Sequence, residues 1–391
     1  MLASLDCKKQ YISFSKVGSI PFFFSKASYY ARAYYLRIKL YPKPNQNKNL
    51  PQPTKKTTNV ESYEFWSRPD HYPYFSRHVV IGMDKSIGEL LADLRGRGYQ
   101  ARLVSIDRVA LLHKQLDGLR KKGLFDDAFF QERLAWFRFQ APESLPRGQS
   151  VIVAAIPRPQ TRAIFTLNGD RRALIVPPTY TSYDVVQEQF ENVIAEILGR
   201  KGFSFARTML PLKQLAVRSG LGQYGRNNIC YVSGIGSFLQ LVAVYSDLRC
   251  EEDGWREPVM MESCEGCELC RRACPTGAIS SDRFLLRGER CIVFHNEKKG
   301  DVPFPDWMAA SWHNCVVGCM HCQRVCPLNK DFIGWFGEEE EFSEEETALL
   351  LEGVPHDKVP ATILRKLERL SLVEDLGRLP RNLGVFFKET W

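Results

Sequence analysis

At 391 residues, with 44% apolar and 25% charged side chains, the chain is long enough to bury more than one core, which excludes a disulfide-stapled miniature and a disordered polymer. A formal net charge of +8 would suggest a nucleic-acid-binding body, but residues 1–82 hold 13 Lys and Arg against Asp6, Glu61, Glu64 and Asp70. The other 309 residues balance 40 basic against 41 acidic groups, so the basic character belongs to the N-terminal segment alone.

That segment, residues 1–82, clusters aromatics without a helical or strand period and then runs into the polar, Pro-rich "YPKPNQNKNLPQPTKKTT". It reads as a disordered extension or as residues translated ahead of the true start. A targeting peptide stands behind both, because its many aromatics fit one badly. Lys26 and Arg32 break its longest apolar stretch, and no run of about 20 apolar residues for a membrane span occurs anywhere in the chain. Ordered structure is expected from Met83, where "MDKSIGELLADLRGRGYQ" sets Ile87, Leu90, Leu91 and Leu94 on one helical face.

Next come a strand-like "RLVSID", helical sequence through "DDAFFQERLAWF", and strands in "QSVIVAAIP" and "RALIVPP". Residues 184–199 predict an amphipathic helix with Asp184 as N-cap, Gln187 three residues on, and Phe190, Val193, Ile194 and Ile197 at helical spacing. "FLQLVAVYSDL" closes the region as a strand. Between these, "GLGQYGRNNI" at 220–229 has GxGxxG spacing, which marks a tight turn as readily as a cofactor site. A dinucleotide role fails, because no acid follows about 20 residues on to hold a ribose. From Lys201 to Ser246 there is no Asp or Glu, while Lys201, Arg207, Lys213, Arg218 and Arg226 are present. Two readings stand: a surface that meets an anion, or buried strand that simply lacks charge.

Seven of the twelve cysteines fall in "CEGCELCRRACP" and "CMHCQRVCP". Cys264, Cys267, Cys270 and Cys274 give CxxCxxCxxxCP, the run that holds 4Fe-4S clusters and lends its fourth cysteine to the other cluster. Three thiolates two residues apart can wrap one cubane from a tight loop, while the fourth is expected to be carried off by the start of a helix at the following Pro. Cys319, Cys322 and Cys326 repeat the pattern with one cysteine missing. Two cubanes need eight thiolates, and Cys291 is preferred over Cys315 for the eighth, because Cys315 would crowd a loop already supplying two. Cluster one is assigned Cys264, Cys267, Cys270 and Cys326, and cluster two Cys274, Cys291, Cys319 and Cys322. Structural zinc uses paired CxxC units and does not call for this spacing. Cys7, Cys230, Cys250 and Cys315 are assigned no role.

With "GLGQYGRNNI", "SFLQLVAVYSDL", "CEGCELCRRACPTGAI", "RCIVF" and "GCMHCQRVCPLN" in that order, the chain resembles the epoxyqueuosine reductase family over roughly residues 146–329. That family comprises cobalamin-dependent iron–sulfur enzymes related to the reductive dehalogenases. The resemblance implies a cobalamin held above a ferredoxin-like module, with electrons passing through two clusters to cobalt. It also implies a fourth second-cluster ligand in the "RCI" stretch, at Cys291. Gly220, Gly222, Gly225, Arg226 and Asn227 match the family's GLGWIGKN stretch and are the residues it offers for the corrinoid. One departure concerns chemistry. The family carries an Asp proton donor in a "DTAPVLE"-like stretch before that loop, where this chain has Ala206 and Arg207 and no carboxylate nearby. Tyr224 becomes the candidate catalytic acid, with Tyr180 and Tyr183 also to be tested, although each also reads as an ordinary packed aromatic.

The expected class is α+β: a mixed α/β cobalamin-binding, nitroreductase-like domain at 83–255, a double 4Fe-4S ferredoxin-type domain at 256–330, and a short helical region at 331–391. That last region replaces the family's long helical-repeat C-terminus. In it Ser343 is an N-cap with Glu346 three residues on, "PATILRKLERLSLVEDLGRLPRNL" is helical, and Glu338 to Glu341 reads as a solvated linker. The expected activity is a cytoplasmic, monomeric, oxygen-sensitive oxidoreductase with two 4Fe-4S clusters and cobalamin. It would be fed by a ferredoxin or flavodoxin, with tRNA as a candidate partner and no membrane. Two rivals are an electron carrier without its own substrate and a tRNA-binding relative that has lost catalysis; bound corrin tests the first, and salt-dependent tRNA binding the second.

Overall fold

The structure, a computed structural model, describes residues 85–387 apart from Ser182. The segment read as an extension, residues 1–82, lies outside the described residues. Helix α1 (Lys85–Gly96) is the amphipathic stretch expected after Met83, and it buries Ile87, Leu90 and Leu94 while Leu91 stays half-exposed. It is followed by β1 (Gln100–Ser105), α2 (Arg108–Lys121), α3 (Asp127–Arg133) and β2 (Ser150–Pro157). β2 lies antiparallel between β1 and β8 (Leu239–Ser246), and the short β5 (Phe205–Arg207) pairs with the other edge of β8. All of β8, and all of β2 but Pro157, are buried, because both faces of this sheet are covered; both strands therefore read as unbroken apolar runs rather than alternating ones.

On one face, α1 and α4 (Tyr183–Gly199) set Leu90, Leu94, Phe190 and Ile194 against Ile152, Ala154, Val242 and Val244. On the other, Leu112 of α2 and Leu215 of α5 (Leu212–Arg218) pack on Val151, Val153, Ala243 and Tyr245. Each fully buried Leu, Ile, Val or Phe among them contributes about 1.5–3 kcal/mol of transfer free energy, so these layers fix the frame on which the later loops sit. The predicted cap of α4 is corrected: the helix already includes Tyr183, so Asp184 lies in its first turn. Gln187 is buried and donates to Glu191 Oε1 at 2.9 Å and to the Ala243 carbonyl at 3.3 Å, tying the helix to β8 instead of closing a capping box.

A second sheet was only partly foreseen. β3 (Gln160–Leu167) and β4 (Asp170–Val176) form a hairpin, with Asn168 at φ 49° and Gly169 at φ 76°. These angles are the positive pair that an Asn-Gly hairpin turn requires. β9 (Phe336–Phe342) runs parallel to β3 and contains the acidic residues expected to be linker, which is a second correction. Arg162 pairs with Glu339 at 2.7 Å, Arg171 with Glu341 at 3.0 Å, and Arg369 with Glu340, so cations distant in sequence neutralise the strand. Phe342 turns inward and stacks on Phe165.

Helices α9 (Glu344–Glu352), α10 (Ala361–Leu370) and α11 (Leu379–Phe387) cover this sheet through Leu350, Ile363, Leu367 and Leu383. Ser343 caps α9 in the reciprocal arrangement the sequence indicated: its hydroxyl accepts from the Glu346 amide, and Glu346 accepts from the Ser343 amide. Ser343→Ala is expected to cost about 1 kcal/mol, read as a lower midpoint in denaturant unfolding with an unchanged slope. In α11, Arg381 donates to the carbonyls of Asn296, Lys298, Lys299 and Val302, and Asn382 donates to those of Asn296 and Val316. The last helix is thereby bonded to both sides of the cysteine-rich segment. Among the described residues no helix is long and apolar enough to cross a membrane.

Candidate metal centre

The cysteine-rich segment has little regular structure, and its short helices serve mainly to aim thiols. Cys270 lies within α6 (Leu269–Ala273), and Cys274 follows that helix immediately. The expectation that a helix starts after Cys274 is thus corrected: the helix ends there, and Pro275 opens a turn closed by the Gly277 amide on the Cys274 carbonyl. Cys291 precedes α7 (Ile292–Asn296), and Cys322 lies in α8 (His321–Arg324). Cys326 is followed by a 3-10 turn spanning Pro327–Phe332, with Pro327 as its first residue.

Cys264, Cys267, Cys270 and Cys326 line one cavity of about 150 Å³. Burial raises the Cys270 thiol, and its negative neighbours Cys264, Cys267 and Cys326 raise it further. The other four form a second group. Burial pushes the Cys291 thiol up to about 11, with Cys274 adding to the effect. Cys319 is pushed up to about 12 by burial, with Cys291 and Cys274 as its charged neighbours. Burial also raises Cys322, followed by Cys319, Cys291 and Cys274; Cys270 acts on it too, so the two quartets adjoin. Thiols crowded in this way repel one another as thiolates, and iron charge would remove that cost as the protons leave. Among the described residues no three His, Cys, Asp or Glu side chains are grouped as ligands of a single ion, the arrangement a structural zinc needs. A cubane brings its own sulfide and iron and is held by thiolates farther apart.

Cys315 is 1% exposed and packs with Ile175, Phe238 and Met320, and its strand-like backbone bridges to Ile175. It lies outside the cavity lining. Cys230 and Cys250 are likewise buried in the two faces of the main sheet.

The Gly-rich loop is a tight hairpin of β6 (Gln223–Tyr224) and β7 (Cys230–Tyr231), with Asn228 at φ 60° in its turn. A side chain on Gly222 would stand 2.6 Å from the Cys230 sulfur, and one on Gly225 would stand 2.6 Å from the Tyr231 ring. These glycines make room for the hairpin's own atoms. Gly220, at φ 76°, ends the turn that follows α5. Gly225, Arg226 and Asn227 line the cavity of the first cysteine quartet. Tyr231, which the sequence did not single out, joins them there. Its only sequence signal was its place four residues after Asn227.

The basic residues of the acid-free stretch do not form a free anionic-partner face. Lys201 pairs with Glu89, Arg207 with Glu191 at 2.6 Å, and the buried Arg218 with Glu257 at 3.1 Å. Arg226 donates to the Cys264 carbonyl at 2.7 Å. Lys213 donates to the Asn228 carbonyl at 3.1 Å. Desolvation lowers the pKa of Lys213, with Cys230, Cys291 and Cys322 acting on its charge.

The three candidate tyrosines differ. Tyr224 is half-buried, edge-on to Phe284 and packed against the core beneath, and burial raises its phenol. Tyr183 is 43% exposed at the start of α4. The Tyr180 hydroxyl is bonded to Glu297, which pairs with Arg133 at 2.7 Å; burial first and then Glu297 hold this phenol well above its usual range, and Cys291 contributes. Ala206 sits opposite Tyr245 across β5 and β8. The Tyr245 hydroxyl is buried without a hydrogen-bond partner, and burial pushes its pKa up to about 12.

Residues 263–329 match the family described as a 4Fe-4S double cluster binding domain. The epoxyqueuosine reductase of Staphylococcus aureus (strain NCTC 8325 / PS 47) is 27% identical over 210 residues, which make up 51% of this chain and 53% of that protein. The chain spans about half the length of the curated relatives it matches. The solved epoxyqueuosine reductase from Streptococcus thermophilus superposes with a TM-score of 0.55 at 19% identity, over 76% of this chain and 79% of that one. An epoxyqueuosine reductase solved with a tRNA-Tyr epoxyqueuosine-modified stem loop gives 0.54 at 21% identity, over 76% and 80%. These two likenesses show a shared mixed helix-and-sheet fold.

Proposed function

From a chain related in sequence and in fold to the epoxyqueuosine reductases, we propose an iron–sulfur oxidoreductase that passes single electrons through two 4Fe-4S clusters to a corrinoid. The observation that carries this is the convergence of Cys264, Cys267, Cys270 and Cys326 on one cavity, with a second cysteine quartet adjoining it. Those two quartets are the proposed ligand sets. The Gly-rich hairpin supports a different role from the corrinoid cradle the resemblance suggested, because Gly222 and Gly225 face protein atoms. The corrinoid that would take electrons from the second cluster is proposed from the relationship to the epoxyqueuosine reductases. A bound corrinoid supplies a strongly reducing cobalt for a two-electron reduction.

The chain's own residues supply binding and protons. Tyr180, hydrogen-bonded to Glu297 and electrostatically coupled to Cys291, is the proposed proton-holding group, in preference to Tyr224. The proposed electron donor is a ferredoxin or flavodoxin, the setting cytoplasmic and the working form a monomer. A tRNA partner is proposed from the likeness to the neighbour solved with a stem loop, and binding that weakens steeply with salt would support it. Anaerobically purified protein is expected to contain about eight iron and eight sulfide per chain, with corrin visible by absorbance after incubation with cobalamin and desalting. Zinc in place of iron would overturn the reading.

A further inference from the structure

The Gly-rich hairpin delivers hydrogen-bond donors to one cysteine quartet. The Arg226 amide donates to Cys264 Sγ at 3.4 Å, and its guanidinium donates to the Cys264 carbonyl at 2.7 Å. The buried Nε of the same side chain has no hydrogen-bond partner, and Arg226 lines the cavity. Asn227 Nδ2 donates to the Tyr231 hydroxyl oxygen at 2.9 Å, which leaves the phenolic hydrogen for the cavity, where Tyr231 packs in one cluster with Cys264 and Cys326. Tyr231 and Asn227 are each 4% exposed, so these donors are held away from water. Gly225 is required because the Tyr231 ring occupies the space its side chain would take. One hairpin thus gives the Cys264 sulfur an amide donor and sets a phenolic O–H and a guanidinium on the wall of the cavity that Cys326 also lines.

We propose that this hairpin sets the reduction potential of the first cluster, with Arg226 and Tyr231 as positioning residues that make the cluster easier to reduce. An iron–sulfur cluster gains one negative charge on reduction, and donors to its sulfurs and a nearby cation stabilise that charge. The role deepens the two-cluster reading and rests on it. It also accounts for Gly225, Arg226, Asn227 and Tyr231 together as one constellation, with no corrinoid required to explain them.

The test is a redox titration of the full-length holoprotein followed by electron paramagnetic resonance, with iron and sulfide measured on the same samples. Tyr231→Phe keeps the ring and removes the O–H donor; Arg226→Gln removes the cation. Each is expected to move the midpoint of one cluster to more negative potential and leave the other in place, with iron near the parent value. Arg226→Lys, which keeps a positive charge, should recover part of the shift seen in Arg226→Gln. Unmoved midpoints at full iron content, or equal shifts of both clusters, would overturn the proposal. Should Tyr231→Phe lose iron, the Arg226→Gln and Arg226→Lys pair decides in the same way. Parent protein without iron and sulfide would instead overturn the two-cluster reading itself.

Discussion

Cys291→Ser should remove about half of the bound iron, whereas Cys315→Ser should leave the iron content near that of the parent. Both cysteines lie within the double-cluster region, so position in the sequence does not separate them. Their surroundings do. Cys291 is half-buried, precedes α7 and stands among Cys274, Cys319 and Cys322. Cys315 is closed into a cluster of Ile175, Phe238 and Met320, where it acts as a small apolar filler. A serine hydroxyl is a poor iron ligand, so loss at position 291 opens one cubane. At position 315 it costs packing and stability and leaves the sulfur count of both sites intact. Equal iron loss from the two variants, by colorimetric assay on anaerobic protein, would contradict the ligand sets.

Turnover of epoxyqueuosine in tRNA, with cobalamin and a strong low-potential reductant, is expected to be about 10² to 10⁴ slower than that of a relative bearing the carboxylate donor. Removing the oxygen of an epoxide consumes two electrons and two protons and releases water, so an acid must reach the oxygen as its bond to carbon breaks. Ala206 offers none, and the adjacent Arg207 is turned to Glu191. The neighbour facing Ala206 is Tyr245, whose side chain is closed into the core of the main sheet. Tyr180→Phe should abolish whatever reduction remains, on any acceptor, while Tyr224→Phe should act mainly through packing. Rates matching those of the carboxylate-bearing relative would refute this assignment. An unchanged rate in Tyr180→Phe would remove that residue from it.

The cysteine quartets were legible because a cluster dictates spacing directly: three thiols two residues apart need no distant information to converge. The main sheet was legible for a similar reason, since burial on both faces leaves unbroken apolar runs at 150–157 and 239–246. β9 was hidden, because four consecutive glutamates look like solvated chain until Arg162, Arg171 and Arg369 are brought beside them. The hairpin at 220–231 was hidden in another way. Its glycines signal close approach without naming what approaches, and here the answer is Tyr231 and Cys230 of the same hairpin. Tyr180 was named among three tyrosines, but its partner Glu297 lies 117 residues further on and carries no local signal.

The grip of Arg381 and Asn382 on the carbonyls of Asn296 and Val316 bears on the order of events in the cell. The backbone flanking Cys291 on one side and Cys319 on the other is held by side chains that are synthesised after both cysteines. A ribosome that has not yet made α11 therefore carries a nascent chain whose second cysteine quartet is not yet clasped. Iron and sulfide would be held there most securely once α11 has folded onto those carbonyls.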